Sequence, residues 1–248
     1  MKNIENKIVT FIKDYISNCG AKGAVVGMSG GKDSFVAAAL CAKALSKNKV
    51  LGVIMPNGKM KDLEIAKQEC EYLGIDYKVI NIAKITENII KNTKNTLNIK
   101  KLNDVSSTNI APRVRMTTLY ALAAELGFLV VNTSNLSETM IGYTTKWGDN
   151  VGDIAPLAAL TKTEVCELGL AMGLPKEFIN KAPDDGLSGK TDEEKIGFTY
   201  KELDEYIRTG KIAKNHEKII KMHKNSSHKR NLPAKPNINL KNYFTDKK

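Results

Sequence analysis

An apolar run that stops at a glycine-rich turn and passes straight into a helix-forming stretch constrains this chain more than any other feature. Ala24-Val25-Val26-Gly27-Met28 leads into Ser29-Gly30-Gly31-Lys32-Asp33-Ser34, and FVAAALCAKAL follows, rich in good helix formers. The unit reads strand, loop, helix, and it recurs. VLGVIM (50–55) is strand-like, DLEIAKQECEYLG (62–74) is helical and closes on glycine, and DYKVINI (76–82) is strand-like again. PRVRMTTLYALAAELG (112–127) adds a helix opened by proline and closed by glycine, and FLVVNT (128–133) a further buried strand. Such alternation predicts an α/β fold: a doubly wound parallel sheet of about five strands with helices on both faces.

Around this frame, residues 3–17 place Ile4, Ile8, Phe11, Ile12 and Tyr15 at helical spacing, predicting an opening amphipathic helix with that face inward. Residues 84–107 read as a polar connecting stretch, and 142–157 as irregular loops of the kind that carry function. Helical patterns return at 161–172, 199–209 and 211–224, and NSSHKRNLPAKPN (225–237) predicts a loop or arm.

No apolar run approaches the ~18 residues of a membrane span, and the N-terminus carries charges where a signal peptide would be apolar. The expected address is the cytoplasm. Cys19, Cys41, Cys70 and Cys166 are too widely spaced for a zinc site or a C-x-x-C pair. The net charge of +11 is concentrated in residues 211–248, which hold 11 basic and two acidic side chains. That excess favours a polyanionic partner, without choosing among nucleic acid, a membrane surface and a phosphorylated small molecule.

The loop from Gly27 to Ser34 carries the strongest chemical signal. A helix N-terminus offers unpaired N–H donors and a positive dipole end, and glycines let the backbone approach an anion closely, so the junction suits phosphate or pyrophosphate. The Walker pattern fails, because Gly31-Lys32 is followed by Asp33 and no glycine lies five residues before Gly31. The dinucleotide fingerprint fails on spacing. Gly27-x-Ser29-x-Gly31 formally matches a nucleophile elbow, with His216, His223 and His228 downstream in the hydrolase order. Against that rival, the elbow would follow the first strand, no HGGG-type segment precedes it, and Asp33 and Ser34 stay unexplained.

The segment Gly27-Met28-Ser29-Gly30-Gly31-Lys32-Asp33-Ser34 resembles the pyrophosphate loop of the ATP pyrophosphatases. APRVRM (111–116), NTSNLSE (132–138), GYTTKWGDNVGDIAPLAALTKTEV (142–165), GLP (173–175), TDEEKIGFTYKELDEYI (191–207) and SSHKRNLP (226–233) then resemble, in order and spacing, the ammonia-dependent NAD synthetase family. The resemblance runs from about residue 4 to residue 236. It implies a single synthetase domain over 1–248 with an adenine nucleotide alpha-hydrolase-like fold, a basic arm from about residue 225, and no glutaminase domain.

The activity so implied is ATP-dependent amidation of deamido-NAD by ammonia, the final step of NAD biosynthesis. It passes through an acyl adenylate and releases AMP and pyrophosphate. Carried over position by position, Gly27 to Ser34 cradle the ATP phosphates, and Thr133 and Lys162 contact ATP. Asp33 and Glu138 hold Mg2+, and Asp33 and Lys162 are the catalytic pair. Arg113, Lys146, Asp153, His228 and Lys229 hold deamido-NAD. The family commonly has a small hydroxyl residue after proline in its K-x-P-[ST] segment, an ATP contact; here Lys181-Ala182-Pro183-Asp184 puts Asp184 there. The family also implies a homodimer, and no nucleic-acid or membrane partner.

Overall fold

The computed structural model describes residues 1–180, 191–212 and 214–236. Four strands, β1 (Gly23–Met28), β2 (Val50–Ile54), β3 (Asp76–Val79) and β4 (Phe128–Val131), form one parallel sheet in the order β3-β2-β1-β4. Ala24 of β1 is level with Val50 on one side and Leu129 on the other. Around the sheet run α1 (Lys2–Asn18), α2 (Lys32–Leu45), α3 (Leu63–Leu73), α4 (Ala83–Leu97), α5 (Asp104–Thr108), α6 (Ile110–Leu126) and α7 (Leu136–Ile141). They are followed by α8 (Lys162–Ala171), α9 (Lys176–Ile179), α10 (Asp192–Ile196), α11 (Tyr200–Thr209), α12 (His216–Asn225) and α13 (Ser227–Arg230).

The period of two along β1 sorts its side chains between two cores. Ala24, Val26 and Met28 pack with Phe35, Val36 and Leu40 of α2 and with buried residues of α1 and α8. Val25 faces the opposite core, with Val53, Ile82 and Ala111, Val114 and Ala123 of α6. Helix α2 is buried without interruption from Ser34 to Cys41, as expected of a helix apolar all round and covered on every side. A third, smaller core joins α7, α11 and α12 through Ile141, Leu203 and Ile219. No helix among the described residues is long and apolar enough to cross a membrane.

Several expectations need correction. The sheet has four strands among the described residues, not about five. The next parallel position is held by one bridge, Val131 to Ile154. There the Asp153 carboxylate accepts the Val130 N–H (2.7 Å), a donor that a fifth strand's backbone would have used. Residues 84–107 are taken up largely by α4 and α5, which the excess of polar over apolar side chains concealed. In α1 the buried aliphatic residues are Ile12 and Ile16, while Phe11 and Tyr15 stay outside. Within 225–237, Ser227–Arg230 form α13, because Arg230 donates to the Thr139 and Met140 carbonyls and fastens the segment to the end of α7.

The strand order places the site. The chain builds β1, β2 and β3 outward in one direction, then returns to lay β4 on the other side of β1. The reversal opens a crevice beyond the carboxyl ends of β1 and β4, where parallel α/β sheets receive ligands.

Candidate active site

The loop after β1 is closed on itself, and its helix end is left open. Ser34 Oγ donates to the Gly31 carbonyl (2.8 Å), accepts the Ser29 N–H (3.3 Å) and lies 3.1 Å from Ser29 Oγ. Gly31, extended, is the N-cap of α2, and no side chain caps the helix. The first-turn N–H groups therefore remain available to an anion. Gly30 has φ +73°, and a Cβ there would meet Asp62 Cβ and its carbonyl oxygen at 2.8 Å, so the tight approach requires glycine.

The opposite wall begins where β4 ends. Asn135 and Glu138 form a capping box on α7: Asn135 Oδ1 accepts the Glu138 N–H (3.0 Å), and Glu138 Oε2 accepts the Asn135 N–H (3.4 Å). Asn135 Nδ2 also donates to Asp33 Oδ1 (3.1 Å), tying this cap to the first turn of α2. A second capping box, Thr161 with Glu164, starts α8 and makes Lys162 its first residue. The Lys162 N–H donates to Ser137 Oγ (2.9 Å), whose hydroxyl donates to one Asp204 oxygen, while the other accepts the Thr163 N–H (2.8 Å). Buried Asp204 thus fixes α7 and α8 relative to α11.

These constraints converge on one cation. Lys162 Nζ lies 2.7 Å from Asp33 Oδ2 and 2.7 Å from Glu138 Oε1, with the Tyr200 ring 5.2 Å away. One ammonium thus serves two partly buried carboxylates. The two carboxylates hold Lys162 well above its ordinary pKa against the opposing effect of burial. Burial pushes Glu138 up to about 7, reinforced by Asp33 and opposed by Lys162.

A cavity of about 450 Å³ opens at this group, within the size range of small-molecule sites. All residues from Gly27 to Ser34 line it, as do Thr133, Glu138 and Lys162, so the expected ATP and metal residues described here share one chamber. Asp184 lies outside the described residues. Arg113, Lys146, Asp153, His228 and Lys229 do not line the chamber, and all but exposed His228 are tied into the neighbouring 142–153 loop. Arg113 Nε donates to the Lys146 carbonyl (3.2 Å), Lys146 Nζ sits 5.4 Å from the Trp147 ring, and Lys229 Nζ donates to the Gly142 and Thr144 carbonyls (2.8 and 2.6 Å). Asp153 pairs with the β4 backbone and with the Tyr120 hydroxyl (3.3 Å).

Arg115, Asp192 and Asn135 are contributors that motif reading passed over. Arg115 lines the chamber with Nε donating to the Met55 carbonyl (3.0 Å), and burial pulls its pKa below the usual arginine value. Its signal was periodicity: Pro112, Arg115, Met116 and Leu119 form the i, i+3, i+4, i+7 stripe of α6 that faces the chamber, leaving Arg113 off that stripe. Asp192 accepts from the Tyr143 hydroxyl at the rim (3.1 Å). The hydrolase rival lacks its base, because His216, His223 and His228, all described, do not line the chamber around Ser29.

Comparison with known proteins agrees with this geometry. The family model described as NAD synthase matches residues 4–233. An NH3-dependent NAD+ synthetase from Thermococcus sibiricus is 43% identical over 248 aligned positions, covering 94% of this chain and 96% of the relative. Among solved structures, an NMN synthetase from Francisella tularensis matches with TM-score 0.87 at 35% identity, covering 96% of this chain and 98% of the other. An NH3-dependent NAD synthetase from Campylobacter jejuni matches with TM-score 0.77 at 29% identity, covering 95% and 98%. With a family model spanning nearly the whole sequence and relatives similar along their full length, the chain belongs to the NAD synthase family.

Proposed function

We propose that this chain is a ligase that amidates deamido-NAD with ammonia at the expense of ATP, giving NAD, AMP and pyrophosphate. The observation that carries the reading is the Asp33–Lys162–Glu138 group gathered at the open N-terminus of α2 in one chamber. The substrate carboxylate attacks the α-phosphorus of ATP, and pyrophosphate leaves. Ammonia then attacks the acyl adenylate and expels AMP. The protein positions the two nucleotides and stabilises the charge that collects on the departing pyrophosphate, through the α2 N–H groups and the Lys162 ammonium.

The donor set fits Mg2+. That ion is held by one or two carboxylates together with substrate phosphates and retained waters, and Asp33 and Glu138 already gather two carboxylate oxygens around a cation. When bound, Mg2+ neutralises phosphate charge as a Lewis acid. We assign ATP to the chamber and deamido-NAD to the patch around the 142–153 loop, where Arg113, Lys146, Asp153 and Lys229 gather, with His228 beside them on α13.

A homodimer is supported by α4, which fully buries only Thr86 while Ile85 and Ile89, one turn apart, stay 47% and 40% exposed. The test is product analysis with ATP, Mg2+, deamido-NAD and ammonium, each omitted in turn. NAD and AMP should appear in equal amounts and require all four, and AMP formation independent of deamido-NAD would refute the substrate assignment. Because the Francisella structure is of an NMN synthetase, the mononucleotide of nicotinic acid belongs in the same assay as competitor; deamido-NAD is expected to give the higher kcat/KM.

A further inference from the structure

We propose that Lys162 is a built-in counter-ion that occupies the place of the divalent cation between Asp33 and Glu138, so that metal enters only as the nucleotide draws the lysine away. The inference rests on the assignment of those two carboxylates to the metal. Lys162 Nζ is 2.7 Å from an oxygen of each, the position from which a cation bridges the pair. The lysine backbone cannot retreat. Its N–H is held by Ser137 and the next N–H by Asp204, so relocation is a swing of the side chain alone. The Tyr200 ring lies against the ammonium at 5.2 Å with its own hydroxyl buried, while the chamber lies on the side of the open α2 N-terminus.

A divalent ion arriving alone must displace an ammonium that already makes two short ion pairs, or sit beside it and be repelled. A triphosphate seated on the α2 N–H groups reverses the balance. It gives Lys162 new anionic partners, frees the two carboxylates and brings phosphate oxygens to complete the metal's coordination. By reciprocity, nucleotide and metal must each raise the other's affinity.

The probe is Mn2+, with free ion followed by electron paramagnetic resonance and no nucleotide present. Lys162→Met should bind Mn2+ at least tenfold more tightly than wild type, and Lys162→Arg, which keeps a cation in place, should bind it as weakly as wild type. Equal binding by Lys162→Met and wild type overturns the proposal. Adding Asp33→Asn to Lys162→Met should abolish the gained site; if the gain persists, the carboxylate assignment itself fails. Should Lys162→Met not fold, thermal scans of wild type decide. Mn2+ alone should leave the midpoint unmoved, and Mn2+ with α,β-methylene-ATP should raise it beyond the analogue alone; a rise with Mn2+ alone equal to that with both overturns the proposal.

Discussion

Glu138→Gln separates the chemistry of the shared-cation group from its contribution to folding. Glu138 uses one oxygen for the α7 capping box and the other for Lys162. Glutamine has a single oxygen, so one of these acceptors is lost, at a cost of about 1 kcal/mol. Opposing that, the substitution removes a buried carboxylate that exceeds the available positive charge and leaves Lys162 paired with Asp33 alone. The net change in stability should stay within about 1 kcal/mol, or ~2–4 °C in Tm for a chain of this size.

Lys162→Met has the opposite arithmetic: two partly buried carboxylates face each other with no cation, a situation that costs up to roughly 3–5 kcal/mol. Turnover should fall about 100- to 1000-fold in Glu138→Gln, the scale of losing one group that stabilises developing charge. Steady-state kcat for AMP release at saturating Mg2+, with thermal unfolding in parallel, measures both. The pH dependence has a definite sign. A carboxyl raised in the fold to about 7 holds its proton longer there than in the unfolded chain, so wild-type stability from this group declines as pH rises from the usual glutamate value towards 7. Glu138→Gln should therefore gain on wild type between pH 5 and pH 8. If it destabilises as much as Lys162→Met, or keeps turnover within tenfold of wild type, the account of the group is wrong.

Other outcomes follow from single observations. Asp204→Ala leaves the Ser137 hydroxyl and the Thr163 N–H without an acceptor, and should lower the unfolding free energy in urea by about 3 kcal/mol, with Asp204→Asn recovering part. Burial pushes the thiols of Cys41 and Cys70 up to about 12, so Ellman's reagent at pH 8 should reach exposed Cys19 first and those two only on unfolding. On the proposal that a homodimer forms through the outer face of α4, Ile89→Glu should give a monomer in sedimentation where wild type gives a dimer, without lowering Tm by more than about 3 °C.

What could be read before the structure follows from which interactions are local. The β1, loop and α2 unit is specified by consecutive residues, and it formed where periodicity and glycine placement put it. The outer helices were harder. In α1 both possible faces carry apolar residues, and packing of Ile12 and Ile16 against α2 and α8 decided which turned inward. In α4 the spacing is helical, but asparagines, threonines and lysines outnumber the isoleucines, and the helix stands partly by resting on α6. The pairing of Glu138 with Asp33 was legible only through the family resemblance, because its capping role is visible in local sequence while its meeting with Asp33 across Lys162 joins residues over a hundred positions apart.

Asp153 has a structural role beyond what motif matching shows. Its type and spacing suit a ligand-holding carboxylate, and its oxygens also accept from the Val130 N–H and the Tyr120 hydroxyl. A side chain acting as backbone acceptor halts the ladder after one bridge to Ile154. The chain is then free to turn through 142–153 beside the chamber, so this residue shapes the rim whatever else it holds. Short-range spacing cannot reveal that role, because the partner is a strand more than twenty residues away that presents an open edge only once the sheet is built.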